Sequence, residues 1–238
     1  MPAVVAREAF IRWRWDPTGH DDLRRVGQSV GWTRTTAKGE RWATAFGPGQ
    51  DVCTILSMLE REEPLGGITC AETEAAIVMD RWPARDPGRW AIWELAVDGC
   101  RRSGDVHVIA GSDPSIGELL MFSPSAYILP EDPRIVRWLG IVDGGRLVSV
   151  AGHMQGLRNS AHIVGVCTHP DARGRGLART VISDLVARAR DENCSGVYLE
   201  MYVDNKPATA VYRALGFREA GRYCSWSIAD DGQSERPA

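Results

Sequence analysis

The residues with the plainest chemical meaning are Arg173-Gly174-Arg175-Gly176-Leu177-Ala178. They stand between a β-branched run that ends at Thr168 and a helical periodicity that starts at Leu177. Two glycines let the backbone approach a ligand and turn successive N–H groups toward it. The helix N-terminus adds about half a positive charge at the same spot. Arg173 and Arg175 can add ionic contacts to phosphate oxygens. Such a loop suits a pyrophosphate, although the same residues also describe a basic surface turn. It is not a Walker loop, which needs Gly-x-x-x-x-Gly-Lys-Ser/Thr. Nor is it the dinucleotide fingerprint, because Arg179 stands where the third glycine belongs.

Other chemistries find less support. The six cysteines include no Cys-x-x-Cys pair and the five histidines no His-Glu-x-x-His, so no metal is expected. Each cysteine reads most simply as a small apolar core residue. That includes Cys167, to which no motif brings a histidine and an acid for covalent catalysis.

The elements that must position the loop are legible from Arg134 onward. Ile135 to Val142 and Arg146 to Met154 read as strands joined by the turn Asp143-Gly144-Gly145, with glycine supplying positive φ. Ala161 to Thr168 is a third strand, ended by His169-Pro170-Asp171. Leu177, Val181, Ile182, Leu185, Val186 and Ala189 form one face of a long helix, with Arg179, Ser183, Asp184, Arg188 and Arg190 opposite. Val197 to Val203 is a strand. A helix follows from Lys206 to Leu215, capped by Asn205 and closed by Gly216. Phe217 to Ile228 ends in strand-like residues. The order β-β-β-α-β-α-β predicts an α/β (α+β) fold, a mixed and mostly antiparallel sheet flanked by helices.

On these residues the C-terminal half resembles the GNAT superfamily of acyl-CoA-dependent N-acyltransferases. Arg173 to Ala178 fits the family's pyrophosphate signature Gln/Arg-x-x-Gly-x-Gly/Ala, and Asn205…Ala208…Tyr212…Gly216-Phe217 is similar to its second signature. The likeness covers about Arg134 to Ile228. It implies acetyl-CoA, or a short acyl-CoA, as cosubstrate and an amine as acceptor, with direct attack in a ternary complex. The backbone of Val166, Cys167 and Thr168 would pair with the pantetheine amides, and an N–H near Cys167 would face the thioester oxygen. The N–H groups around Arg173, Gly174, Arg175, Gly176, Leu177 and Ala178 would hold the pyrophosphate. Tyr212 is the candidate general acid for the departing thiolate, or else a packing residue of its helix. Asn205 contacts the cofactor, caps the helix, or does both. Glu200 is the candidate base, at a spacing to Asn205 and Tyr212 that resembles acetyltransferases acting on protein N-termini. His153, His162 or no dedicated side chain are the alternatives. A different class of function, a non-catalytic acyl-CoA sensor, is consistent with the absence of an unambiguous base.

Composition bounds the rest. The chain has 238 residues, 44% of them hydrophobic and 25% charged, enough for a real core in one large or two small domains. A net charge of −3 argues against nucleic acid and anionic membrane as partners. No apolar run reaches membrane-span length, and Met1 to Arg7 lacks signal-peptide character, so a cytoplasmic protein is expected. Seven of nine tryptophans precede residue 94, as core or as the lining of an aromatic pocket. In that half Asp51 to Glu63 reads as a helix capped by Asp51, and Asp21 to Ser29 as another. Ala71 to Trp82 fits helix or strand. Turn residues from Ser123 to Pro133 suggest a boundary or long connection near 120–134. The expected organisation is an α/β region over 1–120, a degenerate copy of the same fold. A catalytic domain over 121–230 and a flexible tail over 231–238 follow. Asp105 to Ala110 as strand and Asp113 to Met121 as helix would instead start the domain near 100.

Overall fold

The computed structural model describes residues 8–15, 22–36, 38–96, 100–123, 125 and 128–228; the expected tail over 231–238 lies outside them. The chain divides into two compact units, one running to Ala91 and resuming at Gly221, the other comprising Ile92–Ala220. The turn-rich connection over 121–134 therefore lies inside the second unit.

In the first unit, a short helix α1 (Ala9–Arg14) precedes strands β1 (Arg24–Val26), β2 (Ser29–Thr35) and β3 (Arg41–Phe46). Helix α2 (Gly49–Glu62), strand β4 (Gly67–Ala71) and helix α3 (Ala75–Arg81) follow, and strand β5 (Ala84–Leu95) carries the chain on. β1, β2 and β3 form an antiparallel meander, and α2 carries the chain over to β4, parallel to β3. The last strand among the described residues, β11 (Arg218–Ile228), returns to pair antiparallel with β4, placing Cys224 opposite Cys70. α2 buries Val52, Ile55, Leu56 and Leu59 against Ile68, Val78, Trp82 and Trp226. Those four recur at i, i+3, i+4 and i+7, one stripe of an α-helix.

Two expectations change here. Of the helix expected over 21–29, the described residues 22–29 are not helical: Leu23, Val26 and Val30 have helix-like spacing, but β2 finds a partner in β3, and Gly27 turns the hairpin at φ +53. A glycine is costly inside a helix and cheap in such a turn. Helix α2 starts at Gly49 after Pro48, so Asp51 lies in the first turn instead of capping. Of the ambiguous stretch 71–82, Ala71 ends β4 and Glu72–Arg81 is helical, one tight turn over Glu72–Glu74 leading into α3. Most of the N-terminal tryptophans are core. Trp13, Trp15, Trp32 and Trp82 are buried, and Phe10, Trp32, Phe46, Trp90 and Tyr223 form an aromatic cluster.

The second unit contains β6 (His107–Ile109), α4 (Pro114–Leu120), β7 (Ile135–Asp143), β8 (Arg146–Gln155) and β9 (Ala161–Thr168). Then come α5 (Leu177–Asp191), β10 (Val197–Tyr202) and α6 (Lys206–Ala214). Its strands run in the order β10-β9-β8-β7-β6, antiparallel except for β9 and β10, which the α5 crossover makes parallel. Gly144 and Gly145, at φ +58 and +78, turn the β7–β8 hairpin as expected. Asp113 caps α4 by accepting from the Ser115 N–H at 2.9 Å. α4 packs Ile116, Leu119 and Leu120 on one face of the sheet, against Trp138, Val150, Met154, Val164 and Cys167. The alternate residues Leu139, Ala151 and Ile163 point to the other face, where α5 lays Val181, Ile182 and Leu185. Asp184, expected on the solvent face of α5, is fully buried. It accepts from the Ser103 N–H at 2.8 Å and pairs with Arg188 at 2.5 Å. The chain before β6 covers it, which helical periodicity alone does not reveal.

The run β1-β2-β3-α2-β4-α3 in the first unit repeats the order β7-β8-β9-α5-β10-α6 of the second. In both, the third and fourth strands are parallel across the helix.

Candidate active site

The site begins where β9 stops being an ordinary strand. Cys167 pairs with Val150 but Val164 pairs with Gly152, so two residues of β9, Gly165 and Val166, face the single Ala151. Gly165 has φ +58, and a Cβ there would stand 2.6 Å from the Trp138 ring. Only glycine satisfies both demands. A bulge frees backbone groups from the ladder and re-aims the residues after it. Gly165, not singled out by sequence reasoning, was detectable as the one glycine inside a β-branched run.

The bulge coincides with a fork. The β9–β10 ladder ends at Ile163 opposite Leu199, so β9 from Val164 and β10 from Glu200 run on without pairing to each other. Val166, Cys167 and Thr168 thus have β8 on one side and the fork on the other. Their backbone can accept an added strand-like ligand there. Cys167 itself is buried, its thiol 3.1 Å from the Leu119 carbonyl oxygen, and burial pushes its pKa up. A protonated, packed thiol is not a nucleophile.

Beyond Thr168 a tight turn over Pro170–Ala172 leads to the glycine loop. Gly174 and Gly176 adopt φ +78 and +77, and nothing lies within 4 Å of where either Cβ would be. The glycines are required by backbone conformation and stand beside open space. Gly176 occupies the cap position of α5 with no side-chain cap and no acidic residue in the first turn. The leading N–H groups of a 15-residue helix therefore meet the loop without a carboxylate in the way. Leu177 and Ala178 supply the first of these N–H groups.

The arginines are placed differently from the simplest expectation. Arg173 turns back, donating to the carbonyls of Thr168 at 3.2 Å and Phe122 at 3.4 Å. It braces the loop against the strand end. Arg175 pairs with Asp143 at 2.8 Å, both side chains about half exposed. An exposed pair of this kind is worth roughly 0–1 kcal/mol, so Arg175 can leave it for an anion.

The second signature lands around the fork. Asn205 caps α6, its Oδ1 accepting from the Ala208 N–H at 3.2 Å, which leaves its NH2 group for a ligand. Tyr212 is buried on α6, edge-on to Phe217 at 5.6 Å between ring centroids. Burial raises its pKa, so the phenol is held as a proton donor. Glu200 is the first β10 residue past the ladder, and its side chain is 9% exposed. Residues opposite each other across a ladder share a face, so Tyr198, His162 and Met154 all point to the α4 side, and Glu200 with them. α6 packs with α5 on the other side. Glu200 thus stands on the α4 face, and Tyr212 on the helix that packs with α5. His153, adjacent to Met154, points away from Glu200. It is buried, and neither ring nitrogen has a hydrogen-bond partner among the described residues. Burial, with Arg137 acting in the same sense, lowers its pKa.

A strand bulge, a forked parallel pair and a glycine loop on an uncapped helix now stand in one unit. Residues 113–217 match the acetyltransferase (GNAT) family. The C-terminal part of this chain is a GNAT acetyltransferase domain. The match opens at Asp113, the cap of α4. Over 101 residues the chain is 37% identical to the N-alpha-acetyltransferase RimI of Mycobacterium tuberculosis, covering 39% of this chain and 61% of that one. An acetyltransferase of Pectobacterium atrosepticum is 37% identical over 76 residues, 32% of this chain and 52% of its own. The chain thus spans about half to three-fifths of the length of these relatives.

Solved structures extend the likeness in fold beyond the GNAT domain. A GCN5-related N-acetyltransferase from Kribbella flavida superposes with a TM-score of 0.60 at 14% identity, over 87% of this chain and 88% of that one. One from Sphaerobacter thermophilus gives 0.57 at 16% identity, over 83% and 75%. Among the described residues no helix is long and apolar enough to cross a membrane.

Proposed function

We propose that the protein transfers an acetyl group, or another short acyl group, from acyl-CoA to an amine by direct attack in a ternary complex. The observation that carries this reading is the continuity of one binding track. The forked backbone of Val166, Cys167 and Thr168 leads within one turn to the N–H groups of Gly174 to Ala178 at the start of α5. An extended chain bearing amides at one end and a diphosphate at the other suits that track. In this reading the Asn205 NH2 group and the Arg175 guanidinium add contacts to the same ligand.

The chemistry follows from what meets at the fork. The amine nitrogen attacks the thioester carbon as a neutral base, and its lone pair forms the new C–N bond. The proton shed by nitrogen passes to Glu200, directly or through water, on the α4 side. The carbonyl oxygen gains negative charge as the tetrahedral centre forms, and a backbone N–H near Cys167 faces it. The C–S bond breaks with its electron pair on sulfur, and Tyr212 gives that sulfur a proton from the α6 side. A thiol of pKa near 8.5 leaves readily as an anion, so Tyr212 contributes modestly, about tenfold. The acceptor is an amine. The name of the Mycobacterium relative makes a peptide α-amine the first class to assay.

We read the first unit as a degenerate copy that has lost this site. Its β3–α2 connection is only Gly47 and Pro48, and Pro48 has no N–H to offer. Asp51 stands in the first turn of α2, and a Cβ on Gly49 would lie 2.5 Å from the Glu74 carboxylate. Carboxylates at that helix start repel an anion.

The test is titration calorimetry with CoA, together with thiol release from acetyl-CoA over a panel of peptide and small-molecule amines. One CoA per chain and turnover on a specific amine are expected. Stabilisation by acetyl-CoA without turnover on any amine would favour the sensor reading. No CoA binding would refute both.

A further inference from the structure

His162 enters the sequence analysis as a rival base to Glu200, and the structure puts the two together. His162 lies in the ladder, opposite Tyr198 on β10 and Met154 on β8. Its ring is stacked flat on Tyr198, centroids 4.3 Å apart and planes 7° from parallel. Its Nε2 stands 4.0 Å from Glu200 Oε1, with side chains 4% and 9% exposed. That separation is too long for a hydrogen bond but sets a polar ring nitrogen beside the carboxylate with little water between them. His162 sits where β9 is paired to strands on both sides; Glu200 sits one step past the last β9–β10 pair. The imidazole is therefore fixed by the sheet, and the carboxylate is on the threshold of the fork.

A buried carboxylate is costly unless polar neighbours compensate it. Side by side at the mouth of a fork, imidazole and carboxylate have a joint use.

We propose that His162 is a positioning residue for Glu200. The stacked imidazole holds the carboxylate toward the fork and stabilises the arrangement in which it takes the proton from the attacking amine, without itself touching the substrate. This inference rests on the reading of Glu200 as the proton acceptor.

The test is a double-mutant cycle in the full-length protein, with kcat and KM read by thiol release and CoA affinity by calorimetry. Glu200→Gln is expected to lower kcat about 30-fold. His162→Gln is expected to lower kcat about tenfold, with KM for acetyl-CoA and CoA affinity within twofold of the parent. The double variant is expected to be no slower than Glu200→Gln alone, because His162 acts only through the carboxylate. A purely structural histidine would instead multiply the two losses or raise KM. That outcome, or an unchanged kcat in His162→Gln, overturns the proposal. If Glu200→Gln keeps the parent kcat, the reading of Glu200 itself fails, and that is visible in the single variant. Should His162→Gln not fold, Tyr198→Leu provides the second arm. It leaves both ionisable groups and releases the ring, and the same kcat loss, absent in the Glu200→Gln background, is expected.

Discussion

Substituting Gly176 by Asp separates stability from binding. The φ of +77 disfavours any side chain, but Asp tolerates the left-handed region better than most, at a cost of about 1 kcal/mol. Nothing lies within 4 Å of the new Cβ, so there is no clash to add. The carboxylate would cap α5 and meet the positive end of its dipole, a gain of about 0.5–1 kcal/mol. The two effects nearly cancel, and the melting temperature without ligand should move by less than about 4 °C. For CoA the balance reverses. A carboxylate about 5 Å from a phosphate repels it by about 3 kcal/mol at an effective dielectric of 20, and solvent at this exposed loop cuts that by about half. Affinity should fall about 10- to 30-fold by calorimetry, with the deficit shrinking as salt is raised. Gly176→Ala, carrying the strain without the charge, should lose about 1 kcal/mol of stability and little affinity. A dissociation constant within twofold of the parent in Gly176→Asp would refute the phosphate assignment. Loss of binding only together with unfolding would refute the argument that the glycine serves the ligand.

Tyr212→Phe keeps the ring against Phe217 and removes only the hydroxyl, so stability should stay within about 1 kcal/mol while kcat for thiol release falls about tenfold. Asp184→Ala leaves Arg188 and the Ser103 N–H without their shared partner and should destabilise by about 3 kcal/mol, read from urea midpoints. His153 is held neutral by burial below its ordinary value of 6.5, so below about pH 6.5 the unfolded chain takes up a proton that the folded chain refuses. Stability should therefore decline as pH falls through 6.5, and His153→Leu should flatten that decline between pH 7.5 and 5; an unchanged slope would show that another group causes it.

Much of the second unit was legible because its signals are local. Gly144-Gly145 can only be a turn of this hand, Asn205 and Gly216 mark the two ends of α6, and the α5 stripe repeats over four turns. Gly174 and Gly176 announce positive φ by having no side chain. The first unit was harder. Leu23, Val26 and Val30 satisfy a helical template, and what makes them a hairpin is the availability of β3 as a partner, which no local window contains. Asp184 looked like a solvent residue for a similar reason, since the chain that covers it comes some 80 positions earlier.

By itself the sequence determined the glycine loop at Gly174 and Gly176, the long helix behind it and the order of strands, since each is written in short-range spacing and backbone preference. Tertiary structure alone decided that β9 and β10 part after Ile163 and Leu199, that Glu200 and His162 share one face, and that Arg173 braces the loop. The reason is physical: strand register and the face a side chain takes are set by partners distant in the chain, through ladder pairing and burial.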